Sequence, residues 1–247
     1  MTSSILFDPP VLAHRGASAD VPENTMSAFV RAIQLGIQWV EFDVMLAACG
    51  TPIIFHDETL DRTTNASGNV GDYTYAYLQT LDAGAWFKST YAGERIPTLD
   101  QVAEFLVATG LHANVEIKPL PGQEEATVDA TLKVMSAFFV EDSPQILYSS
   151  FSIPTLQYLR VRAPHCLMGL LMHEWLPDWQ QTAESLQCVA INVNEGILTA
   201  ERVRQIKDTG RLLLSYTVND VDRADQLYGW GVDAVFSDQA ARIARFA

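Results

Sequence analysis

The 247-residue chain has few cysteines and few basic side chains, and each shortage excludes a class of protein. Its three cysteines, Cys49, Cys166 and Cys188, are odd in number and lack CxxC spacing, so neither a disulfide framework nor a zinc knuckle is expected. Its 16 lysines and arginines are outnumbered by 30 acids, which gives a net charge of −14. Such a charge repels nucleic acid and anionic membranes. We expect reduced cysteines that serve packing, and no nucleic-acid partner.

Long apolar runs and linker-like stretches are also absent from the sequence. No segment approaches the ~18 apolar residues of a membrane span, and the opening "MTSSILFDPP" has no basic leader. These features predict a cytoplasmic protein without stable membrane association. Because no Gly-, Ser- or Pro-rich linker divides the chain, we predict a single domain over residues 1–247. The sequence leaves the oligomeric state open, a homo-oligomer included.

What the chain does contain is a rhythm of short apolar runs separated by amphipathic segments of roughly 10 to 15 residues. The run at 53–56 reads as an extension of the preceding strand after a turn at Gly50. Eight β/α units then remain, which is close to the ~250 residues of a (β/α)₈ barrel. The sequence therefore predicts the α/β class and a TIM barrel. The runs read as strands are 11–14, 39–46, 53–56, 113–118, 145–150, 167–172, 188–193, 212–218 and 233–237.

One segment interrupts this rhythm directly after His56. Residues 57–97 are rich in turn residues and aromatic side chains and have only a weak helical pattern, so we predict a small insertion after the second strand. Loops at the carboxyl ends of barrel strands build active sites. The insertion therefore either covers one side of a pocket or forms a separate decorative subdomain.

Acidic residues occur inside two of the predicted strands. Glu41 and Asp43 in "VEFDV" are two residues apart, so they point to the same face of a strand, and Glu116 and Lys118 in "NVEIKP" repeat the spacing. Buried carboxylates need a partner to offset their desolvation. Three carboxylates without a His or Cys cluster favour a hard ion, Mg²⁺ or Ca²⁺. The alternatives are a solvated edge for the first pair and a structural ion pair for the second.

Two histidines lie at the ends of apolar runs. A free histidine side chain has a pKa that suits proton transfer near neutrality, so His14 and His56 are candidate acid/base groups, although a packing role is the alternative for each. Arg15 offers a fixed fork of donors for a phosphate or a carboxylate. In "PENT", Asn24 is a good N-cap for the helix that follows.

The ordered set of these motifs resembles the glycerophosphodiester phosphodiesterase family, in particular its compact cytosolic bacterial type. The resemblance covers nearly the whole chain. One family position that is often tryptophan is Tyr216 here. The matching segments, in the order of the family, are "AHRG…PENT", "VEFDV", "FHDETLDRTTN", "IPTLDQV", "NVEIKP", "SSF", "YTVN" and "WGVDAVFSD".

The resemblance implies hydrolysis of glycerophosphodiesters, a small-molecule substrate, to sn-glycerol 3-phosphate and an alcohol with the help of a divalent cation. Which histidine is the acid and which the base stays open, as does direct attack by water versus a cyclic phosphate intermediate. The implied roles are metal ligation by Glu41, Asp43 and Glu116, acid/base catalysis by His14 and His56, and substrate or phosphate binding by Arg15, Lys118 and Tyr216.

Three alternative functions belong to other classes. A phospholipase-like phosphodiesterase acting on lysophospholipids is the nearest in mechanism. A barrel lyase acting on a sugar phosphate would also use Mg²⁺ and acids, but the chain shows no obvious electron-sink lysine. A barrel that binds a metal or phosphate without catalysis would not need both histidines.

Overall fold

A computed structural model describes residues 5–245, and residues 1–4 and 246–247 of the predicted single domain lie outside the described residues. Eight parallel strands close into a barrel, because β1 pairs with both β2 and β9. The exception is β3, which runs antiparallel to β2. The predicted (β/α)₈ barrel is confirmed. The strands are β1 (Val11–Ala13), β2 (Trp39–Leu46), β3 (Pro52–Ile54), β4 (His112–Ile117), β5 (Ile146–Ser150), β6 (Met168–Met172), β7 (Ala190–Asn194), β8 (Leu212–Tyr216) and β9 (Ala234–Ser237).

Helices alternate with the barrel strands and pack against them, so the main apolar core lies between the barrel and its helical layer. Short polar residues set where several helices begin. Thr98 and Gln101 form a reciprocal capping box at the start of α3, and Gly110 ends that helix in the left-handed conformation. The helices are α1 (Met26–Gln34), α2 (Tyr75–Leu78), α3 (Leu99–Thr109), α4 (Glu124–Met135), α5 (Ile153–Arg162), α6 (Trp179–Ser185), α7 (Ala200–Lys207), α8 (Val221–Trp230) and α9 (Ala240–Ala244).

The start of α1 corrects one expectation from the sequence. Thr25, not Asn24, is the N-cap, and its hydroxyl accepts a hydrogen bond from the backbone N–H of Ala28. Asn24 instead adopts a left-handed conformation with φ of 54°. Its side chain is thereby freed from capping and turns toward β2.

The insertion between β3 and α3 has a core of its own. Leu60, Val70 and Leu78 are buried together with Ile53 and Phe55 from β3 and the residues after it. Within 57–97 the regular structure is α2 and two short 3₁₀ turns, Val70–Asp72 and Ser89–Tyr91. The prediction of an insertion after the second strand is confirmed.

The cysteines follow the sequence prediction only in part. Cys166 and Cys188 are free and buried, and burial raises their pKa to about 12 and about 11. The packing prediction is wrong for Cys49, which is exposed in the turn between β2 and β3. Within residues 5–245 no helix has the length and apolarity to span a bilayer.

Candidate active site

A cavity of about 290 Å³ opens at the carboxyl ends of the barrel strands. Seven of the eight residues singled out from the sequence line it. The eighth, Lys118, lies beside the cavity with its Nζ 3.8 Å from Oδ1 of Asp43. The structure therefore brings the predicted residues together, while their roles stay predictions. The cavity is lined by His14, Arg15, Glu41, Asp43, His56, Asn114, Glu116, Phe151, Leu171, His173, Tyr216, Thr217 and Phe236.

Three carboxylates lie on adjacent strands at the base of the cavity. Glu41 and Asp43 project from β2, and Glu116 projects from β4, where it is the register partner of Asp43. Each residue offers one oxygen that lies within 4.8 Å of those of the other two. All three side chains are buried. The alternative of a solvated edge is therefore wrong for the first pair.

The protonation of this carboxylate cluster is strongly uneven. Burial, reinforced by Asp43, raises the pKa of Glu116 to about 8. Burial, followed by the charges of Asp43 and Glu116, also raises the pKa of Glu41 well above its usual range. Burial would raise the pKa of Asp43 as well, but the charges of His56, Arg15 and Lys118 outweigh it and lower that pKa. A cation among these oxygens would remove the repulsion, so this all-oxygen donor set fits a hard divalent ion.

The ring of His14 is oriented by a carboxylate outside the cluster of three. Its Nδ1 lies 2.7 Å from Oδ1 of Asp238. Asp238 in turn accepts hydrogen bonds from the side chains of Asn219 at 2.7 Å and Ser18 at 3.0 Å. Its burial acts against ionisation, but these partners lower its pKa to about 2. With Nδ1 occupied, the other nitrogen of His14, Nε2, is left toward Glu41, 3.9 Å from its Oε2.

The ring of His56 is also oriented by an aspartate, which belongs to a larger hydrogen-bonded network of charged side chains. Its Nδ1 lies 2.6 Å from Oδ1 of Asp57. Arg62 donates to both oxygens of Asp57, at 2.6 and 3.0 Å, and to both oxygens of Glu23, at 2.7 and 2.8 Å. Glu23 also accepts a hydrogen bond of 2.8 Å from Arg15. The insertion therefore orients His56 through Asp57 and Arg62, while none of residues 57–97 lines the cavity.

Two residues of the site adopt left-handed backbone conformations that most side chains avoid. Arg15 has φ of 55°, and its backbone N–H donates to Oε2 of Glu41 at 2.9 Å. Asn24 donates from Nδ2 to Oδ2 of Asp43, also at 2.9 Å. Strained residues of this kind are concentrated at functional sites. These conformations allow the loop between β1 and α1 to donate hydrogen bonds to two of the three carboxylates, Glu41 and Asp43.

Three aromatic residues, Phe151, Tyr216 and Phe236, also line the cavity. The ring of Tyr216 lies edge-on to Phe151 and Phe236, with centroids 5.8 and 6.5 Å away. Among the described residues the Tyr216 hydroxyl has no hydrogen-bond partner, and burial raises its pKa. Tyr216 thus lines the cavity, and its role in substrate binding stays a prediction.

Several residues of the site were not given a role from the sequence. Asp238 follows β9 and His173 follows β6 by one residue each, so the rule that singled out His14 at a strand end applied to both. Asp57 adjoins His56 directly. No local pattern in the sequence pairs Arg62 with Glu23, since 39 residues separate them.

A family model described as the glycerophosphoryl diester phosphodiesterase family matches residues 14–242. The chain belongs to this family. A glycerophosphodiester phosphodiesterase of Caldanaerobacter subterraneus is 36% identical, over 92% of this chain and 93% of its own length. One from Bacillus subtilis is 34% identical, over 92% and 82%.

Solved structures of glycerophosphodiester phosphodiesterases share this barrel. An Oleispira antarctica phosphodiesterase, in complex with the product sn-glycerol-3-phosphate, superposes with a TM-score of 0.93. It is 38% identical, and the match covers 96% of each chain. A protein from Silicibacter pomeroyi, at 24% identity and a TM-score of 0.85, supports the fold alone.

Proposed function

We propose that this protein hydrolyses glycerophosphodiesters to sn-glycerol 3-phosphate and an alcohol. The observation that carries the proposal is the convergence of three carboxylates, two histidines and one arginine on one cavity, in a chain of this family. The Oleispira relative in complex with sn-glycerol-3-phosphate supports the same product. The substrate is accordingly a small molecule.

Glu41, Asp43 and Glu116 are the residues that would hold a divalent ion, Mg²⁺ or Ca²⁺. Their burial and all-oxygen donor set support this assignment. When bound, such an ion supplies Lewis-acid stabilisation to the negative charge that develops on the phosphoryl oxygens. Asn24 and the backbone of Arg15 orient the acceptor oxygens of this set.

Arg15 and Lys118 bind the phosphate and share its charge. Nε of Arg15 lies 3.7 Å from Oδ2 of Asp43, and Nζ of Lys118 lies 3.8 Å from Oδ1. At these distances neither cation forms a close bidentate ion pair with Asp43. The guanidinium of Arg15 is additionally fixed by Glu23. A fixed fork of donors in this position orients the diester for in-line attack.

His14 and His56 move the protons. Because Nδ1 of each ring is bound to an aspartate, each histidine has Nε2 left for the reaction. The neutral histidine takes a proton from the nucleophile, and the protonated one donates a proton to the departing alkoxide. Because each ring is paired with an aspartate, either histidine can be the acid and the other the base. The same arrangement is compatible with direct attack by water and with first attack by the glycerol 2-hydroxyl.

An assay of the purified protein on glycerophosphocholine, with and without EDTA, tests the proposal. Choline and sn-glycerol 3-phosphate should appear together, and EDTA should stop their release. A barrel lyase would release no choline, and a non-catalytic binding barrel would bind the diester without turnover. Either result would overturn the proposed reaction.

The remaining parts of the proposal concern the whole protein. We infer a single domain and a cytoplasmic location, which the sequence composition supports. Limited proteolysis tests the first inference, because a single domain should yield no stable fragment of half length. Cell fractionation tests the second.

A further inference from the structure

His173 is a third histidine of the cavity, and the proposed mechanism does not use it. It follows β6, which ends at Met172, and its side chain lines the cavity while staying exposed at the rim. Unlike His14 and His56, it is not paired with a carboxylate among residues 5–245. Its position therefore calls for a different role.

The neighbours of His173 determine which of its ring nitrogens carries the proton. The backbone N–H of Gly196 donates to Oδ1 of Asn194 at 2.8 Å, which fixes the orientation of that amide. The amide nitrogen Nδ2 of Asn194 then faces Nδ1 of His173 at 3.1 Å. Because Nδ2 can only donate, Nδ1 must accept and the proton of the neutral ring must be on Nε2. In this arrangement Nε2 of His173 is the ring nitrogen that can donate a hydrogen bond to a ligand.

This donor lies on the side of the barrel opposite Arg15, one of the two proposed phosphate-binding residues. In the closed strand order, β6 is four strands from β1 in either direction, so His173 and Arg15 follow diametrically opposed strands. Among residues 5–245 the ring of His173 has a hydrogen bond at Nδ1 and none at Nε2. Leu171 and Tyr216, which line the same cavity, contribute apolar surface. A diester with its phosphate at Arg15 must extend one arm across the barrel mouth toward this wall.

We propose that His173 recognises a hydroxyl oxygen on the leaving alcohol of the diester, through a hydrogen bond donated by Nε2. This inference rests on the proposed function. The carboxylate side of the cavity takes the phosphate and the glycerol, which leaves the opposite, exposed rim to the arm that differs between substrates. Diesters of polyols offer an acceptor there. A choline head group offers none, because its quaternary ammonium has no lone pair.

The test compares His173→Phe with the unaltered enzyme on glycerophosphoglycerol and on glycerophosphocholine. Phenylalanine keeps a planar ring in place but removes the donor. We expect kcat/KM for glycerophosphoglycerol to fall about three- to tenfold, mainly through a higher KM, which is the range for losing one neutral hydrogen bond. The value for glycerophosphocholine should change less than about twofold.

Two further variants separate recognition from a structural effect. His173→Gln restores an N–H donor and should recover most of the loss on glycerophosphoglycerol. His165→Phe, at another exposed histidine that lies away from the cavity, should change neither substrate. Equal losses on both diesters, or no loss on glycerophosphoglycerol, would overturn the role of His173 while leaving the hydrolysis itself established. An unaltered enzyme that cleaves neither diester would instead refute the proposed function.

Discussion

At the scale of single residues, the two supported histidines are the groups whose loss should cost most. We expect His14→Ala and His56→Ala each to lower kcat by about 10²- to 10⁴-fold, the usual range for losing a general acid or base. Both variants should fold, because each ring is at a cavity wall and not in the apolar core. Steady-state kinetics with circular dichroism measure both properties, with His165→Ala as the control. A wild-type rate for either variant would return that histidine to a packing role.

The carboxylate cluster leads to a prediction about the metal-free protein. Folded Glu116 keeps its proton up to about pH 8, whereas its ordinary value is 4.5, so unfolding releases a proton between these limits. The contribution of this group to stability is therefore complete below about pH 4.5 and is lost as the pH rises through 8. We expect the melting temperature of EDTA-treated protein to fall over this range.

Added Mg²⁺ or Ca²⁺ should raise the melting temperature most at the alkaline end, where the cluster has lost its protons. Glu116→Gln should flatten the pH dependence of the metal-free protein. Differential scanning calorimetry in both states measures these effects. Equal stabilisation by the ion at pH 5 and pH 8 would contradict the assignment of Glu116 as a ligand.

At the scale of elements, the turn between β1 and α1 depends on Gly16. Its φ is +77°, and a Cβ built there would lie 2.5 Å from Cβ of Ala28 and 2.8 Å from its carbonyl carbon. We expect Gly16→Ala to lower the free energy of unfolding by about 2 to 5 kcal/mol, through overpacking and left-handed strain together. Gly36→Ala is the matched control, because its φ is also +77° but nothing lies within 4 Å.

Gly36→Ala should lower the free energy of unfolding only through left-handed backbone strain, by about 1 to 2 kcal/mol. Urea unfolding of both variants gives the comparison. Gly16→Ala should also reduce activity, since the same turn presents His14 and Arg15 to the cavity. If the two variants were equally stable, the close approach of α1 would not constrain this turn.

The insertion should act on catalysis through one side chain, Arg62. Removing it leaves Asp57 and Glu23 without their shared partner, so His56 loses its fixed orientation. We expect Arg62→Ala to lower kcat by about 10- to 100-fold, with a smaller change in KM. Arg62→Lys should recover part of the rate, because it keeps the charge but not the fork.

Arg95→Ala provides the control for this variant. Arg95 donates to the carbonyls of Thr80 at 2.8 Å and Leu81 at 2.7 Å, so its loss weakens the insertion without touching the network at His56. Near-normal kcat in Arg95→Ala together with a reduced kcat in Arg62→Ala would assign the effect to positioning. Equal losses in both would assign it to the stability of the insertion.

At the scale of the whole molecule, the sequence predicted the barrel more completely than it predicted the side-chain contacts of the active-site cavity. The strand rhythm predicted all nine strands, because each is a short apolar run with turn residues beside it. The inward face of Glu41 and Asp43 followed from the two-residue period of a strand. The bonds from Arg62 to Glu23 and from His14 to Asp238 were not predictable, because the fold brings together residues that are 39 and 224 positions apart in the sequence.

Local backbone geometry was the other limit. Asparagine is a favoured N-cap residue, so the sequence predicted that role for Asn24. In the structure the Asn24 side chain instead donates a hydrogen bond to Asp43, and Thr25 caps the helix. Cys49 was expected to serve packing because its spacing excluded disulfide and zinc roles, yet it lies exposed in a hairpin turn. For Asn24 a neighbour distant in sequence decided the outcome, and for Cys49 its place in the turn did.

The charge and surface of the whole molecule bear on the physical state of its substrate. A lipid-processing enzyme brings its site to a bilayer, typically with a basic face or exposed apolar helix. This chain has a net charge of −14, and of the insertion's aromatics Tyr73 and Tyr75 pack on its small core. Tyr77 and Trp86, at 42% and 38% exposed, are too few to anchor such an acidic molecule. We therefore expect water-soluble, deacylated diesters to be the substrates.

Glycerophosphocholine, glycerophosphoethanolamine and glycerophosphoglycerol should have kcat/KM values within about tenfold of one another, a span of about 1.4 kcal/mol in transition-state binding. The shared glycerol and phosphate then supply most of the recognition, and a single hydrogen bond to the head group fits inside that span. Phosphatidylcholine vesicles should be poor substrates. Side-by-side assays of the three diesters and the vesicles measure this, with Trp86→Ala as a variant that should change none of the four rates. Vesicle hydrolysis as fast as that of the soluble diesters, reduced in Trp86→Ala, would instead favour the phospholipase-like function and make the insertion its membrane contact.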